Sequence, residues 1–188
     1  MKKHPAKPKT SRTSGASIIR ANGFIVPVGS HEGKTVHVGA DHRGFRLKKA
    51  LVTALRRRGW KVVDEGTRSP ARTDYPIWIT KVARAVGRSG GRTAAGIGVC
   101  GSGIGACIPA AKVNGVHPAL CRSVASARET RTHNNTNFLS LAADFTRPAQ
   151  ALRIAEAWLK TPFYTDPGRD ATYLRRFIQT ARLERRGR

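Results

Sequence analysis

The chain has 188 residues, of which 39% are hydrophobic, so it can form one full core, and a second sizeable domain is not expected. Lysine and arginine number 35 against 11 acidic residues, and the resulting net charge of +24 favours nonspecific binding to polyanions without bearing on the fold. Three cysteines without a C-x-x-C arrangement argue against a disulfide framework or a zinc knuckle, and no apolar run reaches the roughly 18 residues of a membrane helix.

Residues 1–34 differ in composition from the rest of the chain. They are rich in lysine, serine, threonine, glycine and proline, and we expect this basic N-terminal extension to be mostly disordered. It lacks the apolar region of a signal peptide, so we expect a cytoplasmic protein. Because acids are nearly absent before Glu32, an RNA-contacting arm or an organelle-targeting peptide are alternatives. No aromatic residues alternate with the lysines to stack on bases, which favours a tail with no role.

From residue 35 the chain alternates predicted strands with predicted helices. The strands are at 36–40, 60–65, 94–100, 117–121 and 138–143, and the helices at 43–58, 77–86, 104–113, 123–131, 148–159 and 172–185. This order predicts an α/β fold: a single Rossmann-like three-layer domain whose five-stranded parallel sheet has helices on both faces. We place this domain at 35–165 and a basic C-terminal helix and tail at 166–188. Ligands are expected at the carboxyl ends of the strands.

The third strand breaks abruptly into a glycine loop. Glycines at 101, 103 and 105 let the backbone turn tightly and approach a ligand closely. The helix that begins near Ile104 has unpaired first amides, which attract an anion such as a phosphate or an enolate oxygen. Cys100 faces these amides, so we expect a lowered pKa and a role as base or nucleophile. The alternative is an inert core cysteine.

Other polar residues are predicted at the same edge of the sheet. Asp41 and His42 follow the first strand, and His133 and Asn134 follow the fourth helix. Asp41 alone could cap the next helix, and a single histidine is most often structural. Together with Cys100, however, these groups supply what proton abstraction next to a carbonyl requires: a base, a proton donor that opens a sugar ring, and an oxyanion site.

Five motifs occur in order along the chain: VGADHRGF at 38–45, DYP at 74–76, GVCGSGIG at 98–105, ALC at 119–121 and THNNTN at 132–137. With these motifs the chain resembles type B ribose-5-phosphate isomerase and its galactose-6-phosphate isomerase relatives, from about residue 35 to 163. The resemblance implies an aldose–ketose isomerase that acts on a sugar phosphate through a cis-enediolate. It implies no metal or nucleotide cofactor.

The resemblance also implies roles for individual residues. Cys100 would move a proton between C2 and C1, Ser102 would hold the enediolate oxygen with the loop amides, and His133 would open the furanose ring. Asp41 would line the same pocket as a further catalytic residue. The substrate-binding positions are His42, Tyr75, Gly101, Gly103, Gly105, Asn134, Arg169 and Arg176. Members of this family are dimers with shared sites, so we expect a homodimer, or a tetramer, in which His133 serves Cys100 of the partner subunit.

Three positions depart from the family pattern. Ala111 replaces a polar residue after the glycine loop, and Asp144 stands where the family commonly sets an arginine against phosphate. The terminal arginine pattern is only loosely present at 168–176, where Arg176 fits the second arginine and either Arg169 or Thr172 the first. Two explanations stay open for Asp144. Either other arginines bind the phosphate, or the substrate has a hydroxyl end that a carboxylate can bind. The arginines in question are Arg147, Arg169, Arg175 and Arg176.

Two other functions are weaker interpretations of the same sequence. Residues 101–106 superficially match a dinucleotide-binding fingerprint, but the acidic residue expected about 20 positions further on is missing. A non-catalytic homologue with nucleic-acid-binding tails would fit the arginines at 182–188. A scaffold has no need to keep Cys100, Ser102, His133 and Asp41 together, which favours the enzyme.

Overall fold

The computed structural model describes residues 9–13, 16–164 and 166–186 of the chain. Eight strands are β1 Lys9–Thr13, β2 Ala16–Ala21, β3 Phe24–Pro27, β4 Thr35–Ala40, β5 Lys61–Gly66, β6 Ala94–Cys100, β7 Pro118–Leu120 and β8 Phe138–Ala142. Six helices are α1 Phe45–Arg57, α2 Tyr75–Ser89, α3 Ile104–Ala110, α4 Val124–Asn134, α5 Pro148–Lys160 and α6 Pro167–Arg186. None of them is both long and apolar enough to cross a membrane, within the residues described.

The centre of the molecule is a five-stranded parallel sheet in the order β5-β4-β6-β8-β7. One core packs between this sheet and helices α1 and α5, and includes Val38, Ile97 and Trp158. A second core, with Ile79 and Phe138, packs between the opposite face and helices α2 and α3. The predicted three-layer α/β fold with a five-stranded parallel sheet is confirmed.

The strand order brings two loops of the predicted site together. The chain runs from β4 outward to β5 and then crosses back to β6 on the other side of β4. Ala40 pairs with Val99, so the carboxyl ends of β4 and β6 lie side by side, and Asp41 and Cys100 follow at one level. Such a reversal of strand order opens a crevice at the carboxyl edge of an α/β sheet, where ligands bind.

Some element boundaries differ from those predicted. α3 ends at Ala110 rather than 113, and α6 begins at Pro167 rather than 172. α4 continues to Asn134 and is capped by Asn135 in the left-handed conformation, with φ 50°. Asparagine tolerates this conformation better than most residues, so the helix runs three residues beyond the predicted end.

The expectation that residues 1–34 are disordered is wrong for the part that the structure describes. β1, β2 and β3 form an antiparallel sheet, and its apolar residues Ile19 and Val26 pack against Phe163, Phe177 and Ile178. These partners lie more than 130 residues away in sequence, so the composition of the extension alone does not reveal them. Residues 1–8, 14–15, 165 and 187–188 lie outside the described structure.

Residues 29–34 attach the extension to the end of α4 through a buried basic cluster. Arg131 donates hydrogen bonds to the carbonyl oxygens of Gly29, at 2.8 Å, and Thr136, at 2.6 Å. Nε2 of His31 lies 3.2 Å from the same Thr136 oxygen, and Nδ1 lies 3.1 Å from Nζ of Lys34. The three side chains are nearly fully buried, so the extension and the end of α4 form one packed unit.

No carboxylate contacts this basic cluster among the residues described. Burial therefore lowers the pKa of Lys34 to about 7 and the pKa of Arg131 to about 9. The pKa of His31 falls well below its usual value, first through burial and then through the nearby Arg131 and Lys34 charges. A neutral His31 that accepts from Lys34 through Nδ1 donates from Nε2 to Thr136.

The packing of β3 predicts the effect of two neighbouring substitutions. Val26 is 0% exposed and Ile25 is 45% exposed. We expect Val26→Asp to bury an unpaired carboxylate, to detach the extension from α6 and to lower the free energy of unfolding by about 2–5 kcal/mol. Limited proteolysis and thermal unfolding measure both effects. Ile25→Asp is the matched control, and equal protease resistance of the two variants would contradict the packing.

Candidate active site

The structure places the predicted site residues in two separate groups. The first group, here called the thiol site, consists of Asp41, His42, Tyr75, Cys100 and the glycine loop 101–105, at the carboxyl ends of β4 and β6. The second group, here called the histidine groove, contains His133, Asn134 and Arg176.

Cys100 is the last residue of β6 and is only 3% exposed. Its carbonyl oxygen accepts a hydrogen bond of 2.9 Å from the amide of Ala143, which fixes the end of the strand against the residue after β8. The sulfur is in reach of the backbone N–H groups of Ala106, Gly103 and Gly105. Three amides thus converge on one thiol, so a negative charge formed at this point is met by preorganised donors.

The predicted lowering of the Cys100 pKa is wrong. Burial raises the pKa of this thiol, and the nearby Asp41 carboxylate adds to the rise. The amides of Ala106, Gly103 and Gly105 act in the opposite direction, but their effect is smaller than that of burial. The sequence showed the hydrogen-bond donors of the loop, but it did not show how completely the Cys100 thiol is buried from solvent.

Backbone conformation requires glycine at one position of the loop. Gly103 has φ 78°, and a Cβ atom there would lie 2.4 Å from Cδ1 of Leu120. Its carbonyl oxygen accepts a hydrogen bond of 2.5 Å from the Ser140 hydroxyl, so β8 also holds the loop. The Ser102 hydroxyl oxygen lies 3.3 Å from the amide of Ile104, where it can accept a hydrogen bond and remain next to the loop amides.

Asp41 and His42 are each held by a backbone partner. Oδ1 of Asp41 accepts a hydrogen bond of 2.8 Å from the amide of Gly44 and so fixes the turn before α1, but it does not cap the helix, whose N-cap is Gly44; the carboxylate also influences Cys100. Nδ1 of His42 lies 3.0 Å from the carbonyl oxygen of Thr73. This contact fixes the ring and leaves Nε2 for a ligand.

Tyr75 lies against the loop from the other side. A Cβ atom at Gly105 would come within 3.2 Å of the Tyr75 ring, so the ring packs directly on the loop backbone. Tyr75 is the first residue of α2, where Asp74 and Pro76 set the start of the helix. The thiol site therefore has three rigid sides, formed by the loops after β4 and β6 and by the start of α2.

Sequence reasoning missed Arg43 as a member of the thiol site. Asp144 forms an ion pair with Arg43, which follows His42 in the loop after β4. The amide of Asp144 donates a hydrogen bond of 3.0 Å to the carbonyl of Gly101. The charge reversal at position 144 was visible in the sequence. Its partner was not, because the two residues are separated by 101 positions.

His133 and Asn134 do not lie at the carboxyl edge of the sheet, contrary to prediction. They occupy the last turn of α4, and the chain then enters β8 at its amino end through Asn137, whose side chain accepts from the amide of His117 at 2.8 Å. The ring of His133 stacks on Tyr173 of α6 with centroids 4.2 Å apart. The prediction failed because a helix that follows a parallel strand returns antiparallel, so its end lies at the opposite edge.

The distance along the sheet separates the two groups within one chain. Gly96 pairs with Phe138 and Cys100 pairs with Ala142, so the amino and carboxyl levels of β6 are about 13 Å apart. His133 precedes the amino end of β8, whereas Cys100 lies at the carboxyl end of β6. One small substrate cannot touch both residues in the same chain.

The histidine groove is a cavity of about 600 Å³ between α4, the segment 116–119 and α6. Arg176 and Tyr173 line it from α6, and Ala111, one of the departures noted above, lines it from the end of α3. His117 at its wall has a pKa lowered by burial, although Glu184 opposes the shift. Arg169 instead contacts Asp170, with Nε 3.1 Å from Oδ1, about two helical turns from Arg176.

No group of three or more histidine, cysteine or acidic side chains in the described structure has the spacing of a metal site.

Comparison with known proteins connects this geometry to a family. Residues 36–176 match the family model described as Ribose/Galactose Isomerase. Ribose-5-phosphate isomerase B of Escherichia coli (strain K12) is 41% identical over 126 residues, which cover 67% of this chain and 83% of the relative. The DNA damage-repair/toleration protein DRT102 of Arabidopsis thaliana is 40% identical over 125 residues, 66% of this chain and 39% of that protein.

Solved structures agree with the sequence comparison. The crystal structure of ribose-5-phosphate isomerase B from Mycoplasma genitalium with bound ribulose-5-phosphate superposes with a TM-score of 0.74 and 32% identity, covering 80% of this chain and 96% of that one. The enzyme from Clostridium thermocellum gives a TM-score of 0.74 at 36% identity, with 82% and 99% covered. Sequence and fold comparisons therefore agree, and the chain belongs to the Ribose/Galactose Isomerase family of aldose–ketose isomerases.

Proposed function

We propose that the chain interconverts ribose 5-phosphate and ribulose 5-phosphate, with Cys100 as the base that moves a proton between C2 and C1. The observation that carries the proposal is the position of Cys100 at the end of β6, where the glycine loop begins, next to Asp41 at the end of the paired strand β4. The relative from Mycoplasma genitalium, which binds ribulose-5-phosphate, supplies the substrate class.

The reaction consists of proton transfers and involves no net change in oxidation state. His133 protonates the ring oxygen of the furanose and regains a proton from the C1 hydroxyl through solvent, which opens the ring to the aldehyde. The Cys100 thiolate takes the C2 proton, and the electrons of that bond form the C1–C2 double bond of a cis-enediolate. Cys100 then returns the proton to C1 while the proton of the C2 hydroxyl passes to the oxygen on C1, which leaves C2 as the carbonyl carbon of the ketose.

The glycine loop stabilises charge in this sequence of steps. The negative charge passes from the sulfur to the oxygen on C1, and the amides of Gly103, Gly105 and Ala106 lie where both charges form. Ser102, whose oxygen already lies beside the loop, adds a hydroxyl donor. Asp41 and His42 bind the sugar hydroxyls from the loop after β4. The loop conformation is fixed before the substrate arrives, so little reorganisation opposes the reaction.

The separation of the two groups supports a shared site in a homodimer. We propose that the histidine groove of one subunit covers the thiol site of the other, so that His133 of the partner subunit reaches the substrate on Cys100. Four large apolar side chains near the thiol site are exposed: Tyr75, Ile77, Ile104 and Ile108. An exposed apolar rim around a polar cleft is typical of a surface that a second copy covers.

Removal of the base tests the proposal directly. We expect Cys100→Ser to reduce kcat by about 10²- to 10⁴-fold with little change in stability, because a serine hydroxyl is too weak an acid to form the required anion. Exchange of solvent deuterium into the sugar and thermal unfolding are the measurements. Cys107→Ala and Cys121→Ala are matched controls and should retain activity. Undiminished exchange in Cys100→Ser excludes Cys100 as the base.

The raised pKa of Cys100 predicts a particular pH dependence. The thiolate forms only as the pH rises through this pKa, so we expect kcat/KM to increase with pH beyond the midpoint of an ordinary cysteine. The alkylation rate of Cys100 by iodoacetamide, in a variant that lacks Cys107 and Cys121, should rise over the same range. A midpoint below that of a free cysteine contradicts this environment.

Mixed subunits test the shared site. Cys100→Ser and His133→Ala should each be nearly inactive, but a refolded equal mixture should regain about one quarter of wild-type activity, because half of the dimers carry one intact site. The double variant Cys100→Ser/His133→Ala mixed with wild type is the control, since its mixed dimers have no intact site. If sedimentation shows dimers but the first mixture recovers no activity, Cys100 and His133 act in the site of the same chain, and the proposal is overturned.

A further inference from the structure

We propose that Arg43 binds the anionic end of the substrate in the thiol site, and that Asp144 is the residue that positions its guanidinium. The inference rests on the proposed sugar-phosphate isomerase function and names the residue that recognises the phosphate. It also explains how the chain tolerates a carboxylate at position 144.

The Arg43 side chain lies directly on the glycine loop. A Cβ atom at Gly101 would come within 2.7 Å of Nε and 2.8 Å of Cζ of Arg43, so the guanidinium lies directly against the backbone of residue 101. Gly101 is the neighbour of Cys100 in sequence. Arg43 therefore places a positive charge at the opening of the thiol site.

Asp144 fixes this guanidinium from the other side. Its Oδ2 pairs with an Nη of Arg43 and would lie 2.9 Å from the same Gly101 Cβ atom. The Asp144 backbone is held in turn, because its amide donates to the Gly101 carbonyl. Arg43, Gly101 and Asp144 thus form one contiguous unit, and a flexible arginine side chain gains a defined orientation from a carboxylate.

The ion pair leaves most of the guanidinium available. Arginine has five N–H donors, and Asp144 is the acceptor that the described structure shows for Arg43. The Arg43 side chain is 59% exposed, whereas that of Asp144 is 32% exposed. A phosphate that approaches the cleft therefore meets the remaining N–H groups of Arg43 rather than the carboxylate.

Charge balance favours this assignment. The thiol site contains the carboxylates of Asp41 and Asp144 and forms a thiolate at Cys100 during the reaction, all of which repel a phosphate. Arg43 neutralises Asp144 by direct contact and is the cation that touches the glycine loop in the described structure. Arg122 and Arg147 follow β7 and β8 at the same edge, but Arg122 lies over the Phe145 ring and Arg147 precedes α5.

Two substitutions separate binding by Arg43 from simple neutralisation of Asp144. We expect Arg43→Ala to raise KM for ribose 5-phosphate and Ki for inorganic phosphate about 10- to 100-fold, since it removes a charged donor and exposes a carboxylate. Arg43→Ala/Asp144→Asn should recover part of this loss, because the repulsion is removed, but should still bind phosphate more weakly than wild type. Full recovery in the double variant shows that Arg43 only neutralises Asp144 and overturns the assignment.

Asp144→Asn tests the positioning role. It should raise KM for ribose 5-phosphate while kcat stays close to that of wild type, because the chemistry at Cys100 is unchanged and only the orientation of Arg43 is lost. In the Arg43→Ala background the same substitution should lower KM instead. Arg46→Ala, an exposed arginine on α1, is the matched control and should alter neither constant.

The failure of this inference can be distinguished from failure of the proposed function. If wild type turns over ribose 5-phosphate and Arg43→Ala has an unchanged KM and an unchanged Ki for phosphate, Arg43 does not bind the anion. If wild type is inactive on ribose 5-phosphate but turns over free ribose, the substrate assignment is wrong. Calorimetry with inorganic phosphate then still tests Arg43, because only a phosphate-binding Arg43 gives a difference between wild type and Arg43→Ala.

Discussion

The parallel pairing of β4 with β6 is the contact on which the thiol site depends. The pairing extends to Ala40 and Val99, and the amide of Asp41 continues it with a hydrogen bond of 3.3 Å to the Val99 carbonyl. It places the first residues after two strands at one level, although they are separated by almost 60 residues in sequence. The β8 strand completes the arrangement, because Ala143 and Asp144 bind the backbone at Cys100 and Gly101. Three neighbouring strands thus hold one loop rigidly.

The fold could be predicted because its signals are local. Apolar runs, helical spacing and glycines at the ends of elements predicted all five strands of the parallel sheet and the six helices that the structure describes. The predicted ends differ from the observed ones by a few residues. The extension could not be predicted in this way, because its few apolar residues acquire their partners only when α6 packs beside them. The prediction of a lowered pKa for Cys100 failed for a related reason. Motif spacing shows which amides surround a thiol but not how much water is excluded from it.

The residues of the candidate site could be predicted, but the position of His133 and Asn134 in the fold of one chain could not be read from local patterns. The resemblance named His133 and Asn134, yet the direction of α4 places them at the edge of the sheet opposite to Cys100. Asp144 was recognisable as a reversed charge, but its meaning depended on Arg43, which no local pattern connects to it. Long-range side-chain pairs of this kind are fixed by tertiary structure, and no periodicity reports them.

The buried cluster of His31, Lys34 and Arg131 connects folding of the chain to proton release. In the unfolded chain at neutral pH, Lys34 and Arg131 are fully protonated and His31 partly so, whereas folding lowers all three pKa values. Between about pH 7 and 10 the unfolded state therefore binds more protons at Lys34 than the folded state does, so the contribution of Lys34 to stability rises with pH over this interval. The side chain of Arg131 holds Gly29 against the carboxyl end of α4, two residues from His133. Acidification thus weakens the contact between the extension and the end of α4, which borders the histidine groove and not the thiol site.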